Sequence, residues 1–405
     1  MTTTTSPTTT SQFKMTSAEL RASVSLASIY GLRMLGLFLI LPVFAIYAKG
    51  VPGGDNITMV GLALGIYGLT QGLLQIPFGA LSDKYGRKPI IAIGLAIMAL
   101  GSFIAAFATT IEWVIVGRAL QGAGAISSAV VAFIADCTRT EVRTKAMGMV
   151  GGTIGLSFAL SLVVAPLVFE TIGVPGLFLI TGILAIAAIF ASQSVPVPPV
   201  LEKKDLGPPP TLKEVALDSE LMRINIGMFI LHLAQMSIFV VVPPLIVSQA
   251  GLPIPKHWQV YLPAVLVSFA LLMPPLLKAE RAGRLRTLMI ASIVALIIVA
   301  AGFGWLKLNL WVLVVLMFLF FLAFNMLEAT LPSLVSRLAP DAARGKAVGL
   351  FNTLQAIGLA AGGLMGGFLA QRGGPQLVFG VVIVMLLIWI GLVATMKPIA
   401  AVVKR

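Results

Sequence analysis

The chain has 405 residues, of which 58% are hydrophobic and only 11% charged, with 40 Gly, 24 Pro and 22 Phe. A soluble domain cannot hide that much apolar surface, and a single cysteine, Cys137, excludes an internal disulfide. The formal charge of +13 raises the question of a nucleic-acid partner, and the distribution of that charge answers it.

Twelve apolar runs are long enough to cross a hydrocarbon core of about 30 Å, which takes about 20 helical residues. They lie at 23–48, 57–81, 88–109, 112–135, 145–169, 174–192, 221–248, 258–278, 286–306, 310–336, 345–370 and 374–396. With the N-terminus inside, 22 of the 28 Lys and Arg fall on the cytoplasmic side, four on the other, and two (Arg33 and Arg118) within spans. That asymmetry is the positive-inside rule. The excess charge is therefore topological; both termini are expected in the cytoplasm, and no nucleic-acid role is supported.

Residues 1–22 are expected to be a disordered cytoplasmic tail, since 1–12 are almost all Thr and Ser. No cleavable signal peptide is expected, because the start is polar and the first apolar run is long enough to span. Span 1 carries Arg33 about ten residues deep. Span 2 carries Tyr67, Gln71 and Gln75 at i, i+4 and i+8, a polar stripe along one helix face. The turn GALSDKYGRKP (79–89) follows, with Gly79, Asp83, Lys84, Gly86, Arg87 and Lys88. Span 4 holds GRALQGAGAI, placing Arg118 and Gln121 on one face, and ends at Asp136. Span 5 contains Gly148, Gly151, Gly152 and Gly155.

The one long polar stretch, 193–220, reads as an extended proline-rich linker. Within it Thr211 and Glu214 form a capping-box pattern that predicts a short amphipathic helix. It separates an N-terminal bundle, 23–192, from a C-terminal bundle, 221–396; a tail, 397–405, follows. Span 7 holds His232 and Gln235, and span 10 holds Asn325 and Glu328.

The second half repeats the first. DCTRTEVRTKAMG (136–148) aligns with RLAPDAARGKAVG (337–349), and Pro77, Gly86 and Arg87 align with Pro274, Gly283 and Arg284, which sets Asp83 opposite Glu280. Six spans per half is an even number, so the two copies share one orientation.

The 79–89 turn resembles the loop signature between helices 2 and 3 of the major facilitator superfamily, and GRALQGAGAI resembles that family's helix-4 motif. GLRMLGLFLILP (31–42), GLTQGLLQIPFGALSDKYGRKP (68–89), GRALQGAGAI (117–126) and FNMLEATLPSLVS (324–336) together resemble its YajR-like branch, across essentially all spans. The resemblance implies an all-α polytopic fold of twelve transmembrane helices in two pseudo-symmetric six-helix bundles. Some members carry a soluble C-terminal domain; this chain, ending about nine residues after span 12, is expected to lack it. At span 5 the drug–proton antiporters have Gly-Pro-x-x-Gly-Gly, where this chain has GLSFALSLVVAP.

In the family, helices 1, 4, 7 and 10 line a central cavity, so Arg33, Arg118, His232 and Glu328 are each expected there. A charge at mid-membrane costs about 2.5–3.5 kcal/mol on insertion scales, which makes each a functional candidate. Glu328 is the expected proton site or anionic contact for a cationic substrate; the alternative is a structural ion pair with an arginine. Arg118 tunes that acid, binds an anionic group, or satisfies backbone carbonyls. His232 is a packing residue or a relay, and Gln121, Asn325, Gln235, Tyr67 and Gln71 are the neighbouring polar candidates. In the family a carboxylate at the position of Asp83 meets the start of helix 11, and an Arg87–Asp136 pair joins it to lock the cytoplasmic side.

The expected function is secondary active transport of a small organic solute across a bacterial inner membrane, proton-coupled and in the efflux direction, by a monomer. Facilitated diffusion, uptake, and a non-transporting sensor on the same fold are the alternatives. No enzyme activity, cofactor or metal is expected: His232 and His257 are far apart and lack flanking acids.

Overall fold

The computed structural model describes residues 15–196, 211–340 and 343–397, and among them all regular structure is helical. Helix α1 (Ser17–Phe38) starts inside the segment expected to be a disordered tail. The cause is local. Thr16 accepts from the Glu19 amide, and Glu19 reaches back to the Thr16 amide, so two orphan donors of the first turn are satisfied. Residues 1–14 of that expected tail, and the terminal stretch 398–405, lie outside the described residues.

The chain bends at Leu39 and continues as α2 (Leu41–Tyr47), with Pro42 in its first turn. Helix α3 (Ile57–Tyr85) is capped by Asn56 and stops at Gly86, whose φ of 95° favours glycine; α4 (Arg87–Ala106) starts on the next residue. The predicted fourth span is two helices, α5 (Ile111–Ala123) and α6 (Ser127–Cys137). They part where Gly124 packs so tightly on the backbone of Gly94 that an added side chain would meet its carbonyl oxygen at 2.2 Å.

Helix α7 runs Thr140–Gln193, with a break at Gly173 (φ 60°) followed by Pro175. Straight, 54 residues would reach about 80 Å, well over twice the membrane core. Instead its ends meet: the Cys137 thiol just before it lies 3.9 Å from the carbonyl oxygen of Pro196 just after it. The run is therefore a helical hairpin. After it come the short α8 (Leu212–Leu217), with the predicted Thr211–Glu214 capping box, then α9 (Ser219–Ser248), α10 (Trp258–Arg281), α11 (Leu285–Trp305) and α12 (Leu310–Leu338). The linker residues 197–210 lie outside the described residues.

Helix α13 (Arg344–Ala394) repeats the hairpin at Gly374 (φ 65°) and Pro375. Ten long apolar helical runs among the described residues, two of them doubled, fit the twelve expected spans.

Small residues set the closest packing. The first leg of α13 crosses α3 at backbone contact: a side chain on Gly61 would meet the Gly363 carbonyl oxygen at 2.2 Å, and one on Gly65 that of Ala360 at 2.6 Å. The other side of that leg, at Gly358 and Gly362, presses on the α9 backbone at Phe229 and Leu233. At this end Gln371 accepts from the Ile57 amide at 2.7 Å. Phe158 of α7 fills the centre, touching Phe38 of α1, Phe239 of α9 and Phe324 of α12 at ring separations of 4.9, 6.1 and 6.3 Å. At the opposite end, around Asp83, glycines near the starts of α7 and α13 have room beside them. A side chain added at Gly148, Gly151, Gly345 or Gly349 would meet nothing within 4 Å.

Candidate functional site

The membrane-embedded polar groups fall into two clusters. In the second half, α9 contributes His232, α12 Glu328 and α13 Gln355. His232 Nδ1 lies 3.2 Å from the Met228 carbonyl oxygen, which can only accept, so that nitrogen carries the proton and Nε2 is left as an acceptor. Gln355 Nε2 donates to it at 2.8 Å and lies 3.5 Å from Glu328 Oε1. Glu328 Oε2 stands 3.8 Å from His232 Nε2 and has no hydrogen-bond partner. The Glu328 side chain is 29% exposed, while that of His232 is 5% exposed.

Sequence spacing suggested amide partners three residues away for both groups, and here the structure differs. Gln235 leaves its Oε1 unpartnered, and Asn325 donates across to Ser268 of α10 at 2.9 Å. A residue three positions along a helix is turned by about 60° from its neighbour's direction, enough to face another helix. Gln355 has little signal in the sequence: it is one amide near Asn352 and Thr353 in span 11, and it carries no ionisable group.

In the first half, α1 contributes Arg33, α3 Tyr67 and Gln71, α5 Arg118 and Gln121. Here the i+3 pairing holds, with Arg118 Nη1 donating to Gln121 Oε1 at 2.9 Å and Gln121 donating on to Ser102 at 2.8 Å. Arg118 Nε also reaches the Ala63 carbonyl oxygen at 3.3 Å. Arg33 Nη1 donates to Ser127 at 2.8 Å. The two guanidinium groups stand 5.7 and 4.8 Å from the Tyr67 ring centre, within cation–π range. None of the described ion pairs contains either arginine; Glu328 is not bonded to one. The predicted stripe on α3 is buried throughout, with Tyr67, Gln71 and Gln75 at 0%, 6% and 1% exposure.

The 79–89 turn forms a third cluster, at the open end. Arg87 Nε donates to Asp136 at 2.8 Å, and its Nη1 reaches Asp83 at 2.6 Å and Ser82 at 2.7 Å. Asp83 is 67% exposed, its carboxylate turned to Arg87, while the start of α13 at Gly345 and Gly349 faces open space. Lys84 lies over the Tyr85 ring, and Lys88 donates to the Gln193 carbonyl oxygen at 2.7 Å, tying α4 to the end of α7. Gly79 lets α3 approach Ser128 of α6, whose hydroxyl donates to the Gln75 carbonyl oxygen.

Comparison with known proteins agrees with this architecture. The family profile described as Major Facilitator Superfamily matches residues 26–362 and 269–403. The chain is 40% identical to the inner membrane transport protein YajR of Escherichia coli strain K12 over 390 residues, 95% of this chain and 85% of that protein. Over 141 residues, 34% of each chain, it is 32% identical to a class H tetracycline resistance protein of Pasteurella multocida. Among solved structures, a bacterial homologue of the human lysosomal transporter Spinster superposes with a TM-score of 0.73 at 13% identity, covering 94% of this chain and 97% of that one.

Proposed function

The chain belongs to the major facilitator superfamily and is a membrane transporter, and from that premise we propose that it moves a small organic solute by proton-coupled alternating access. Two bundles, 23–192 and 221–396, rock against each other, with the 193–220 linker and both termini in the cytoplasm of a bacterial cell. The protein acts as a monomer in the inner membrane. The efflux direction leans on kinship over 141 residues with a protein named for drug resistance.

Glu328 carries the coupling. The supporting observation is its freedom: the carboxyl group lies deep in a span, is partly exposed, and holds no arginine partner. A carboxylate clamped by a guanidinium gives up that bond reluctantly, whereas Glu328 has only the Gln355 amide and the His232 ring beside it. Gln355 and His232 orient it. Arg87, with Asp83, Asp136 and Ser82, holds the intracellular ends of the first bundle together and is remade or released as that side closes and opens.

Reconstituted vesicles with an internal pH dye test this. Under an imposed pH gradient, addition of an organic solute panel should trigger proton movement in wild type that is lost in Glu328→Gln. Solute movement without proton movement in both proteins would overturn coupling and leave a facilitator.

A further inference from the structure

The arginine cluster of the first half has donors that the protein itself does not use. We propose that Arg33, Tyr67 and Arg118 form a binding site for the oxyanion head of an organic solute, a carboxylate, phosphate or sulfonate. The proposal rests on the transporter reading and narrows it to a substrate class.

Three features carry it. Both arginines are 1% exposed. A buried guanidinium is costly unless paired, and none of the described ion pairs includes either one. Next, the unused donors are those an oxyanion needs. Arg33 spends Nη1 on Ser127, leaving Nε and Nη2 buried without an acceptor. Those two nitrogens form one edge of the planar fork, whose parallel N–H groups match the two oxygens of a carboxylate or phosphate. Arg118 leaves Nη2 in the same condition. Finally, both guanidinium groups lie against the same Tyr67 ring, 5.7 and 4.8 Å from its centre, and the buried Tyr67 hydroxyl also lacks a partner. Tyr67 thus offers one more donor beside two cations. Arg33, Tyr67 and Arg118 offer an organic cation no negative charge.

Full-length protein in detergent, at constant sodium chloride, is titrated with five probes that share one apolar body: benzoate, phenyl phosphate, benzenesulfonate, benzyltrimethylammonium and benzyl alcohol. The readout is the thermal unfolding midpoint. At least one oxyanion should raise it saturably, while the ammonium and the alcohol do not. The apparent Kd should weaken about tenfold or more in Arg33→Gln and in Arg118→Gln, as expected for losing a charge-assisted hydrogen bond. Arg33→Lys and Tyr67→Phe, which keep the charge or the ring, should weaken it less; they serve if the glutamine variants do not purify as a single species. No stabilisation by any oxyanion, equal stabilisation by the ammonium, or an unchanged Kd in the arginine variants would overturn the site. Equilibrium binding needs no proton movement. Failure here therefore leaves the Glu328 reading intact, and loss of coupling in vesicles leaves this site intact.

Discussion

Arg337 on α12 holds Glu280 on α10 in an ion pair. By the internal repeat Glu280 is the counterpart of Asp83 and Arg337 that of Asp136, so the second half pairs directly two positions that the first half bridges through Arg87. Both partners are about one-third exposed or less. Each of Glu280→Gln and Arg337→Gln should cost about 1 kcal/mol or less, given partial solvent screening. The swapped double variant Glu280→Arg/Arg337→Glu should recover most of it. Thermal unfolding of wild type, the two single variants and the swapped double variant checks this.

Arg87 bonds two carboxylates and a hydroxyl, and its side chain is only 17% exposed. Arg87→Ala should therefore do more damage than Asp83→Asn, because it leaves Asp136 beside Asp83 with no cation between them. We expect a loss of about 1.5–3 kcal/mol for Arg87→Ala. Asp83→Asn, at an exposed carboxylate, should instead act on the conformational balance and favour the state open at this end. Spin-label distances across that end, with no shift for Asp83→Asn, would count against the latch.

Gln355 links His232 to Glu328, so Gln355→Leu leaves His232 Nε2 as a buried acceptor without a donor. The cost is about 1–3 kcal/mol if no other group rotates in. Proton movement in vesicles should slow by about tenfold or more and change its pH profile, while the protein still binds its solute. A pH profile identical to wild type would show that the amide only packs.

The glycine crossing of α3 and α13 should not tolerate a side chain. A methyl group at Gly363 would sit 2.6 Å from the Gly61 carbonyl oxygen and 2.7 Å from the Gly65 amide nitrogen, both backbone. Gly363→Val must push the helices apart, at about 1–3 kcal/mol. Labels at the exposed Asp55 and Arg372 should then report a longer distance, and transport should fail with the protein biased away from closure at this end.

Much of the fold was legible because membrane spans are written in composition, as apolar runs of fixed length. The Arg118–Gln121 pair and the Arg87–Asp136 pair were also legible, the first from helix spacing and the second from the family signature. What stayed hidden depends on packing between helices. Nothing in the chain order says that Asn325 turns to Ser268, or that His232 prefers Gln355 to Gln235. The start of α1 is hard to read from composition because the Thr16–Glu19 box follows closely on a Thr-rich segment. Its strength is increased by Glu19 reaching Arg139 with side-chain bonds at 2.9 and 3.1 Å, a contact across 120 residues.

The contact of Gly61 with Gly363 has a mechanical meaning. Because backbone meets backbone, no rotamers need to be re-sorted when the two helices roll on each other. In the proposed alternating access the crossing would serve as a fulcrum, with the first leg of α13 as its lever arm. From Gly363 back to Gly345 that arm is about 27 Å of helix, so a rotation of about 10° at the crossing swings the far end by about 5 Å. A tilt that is small at the joint thus becomes a displacement of several ångström where α13 begins.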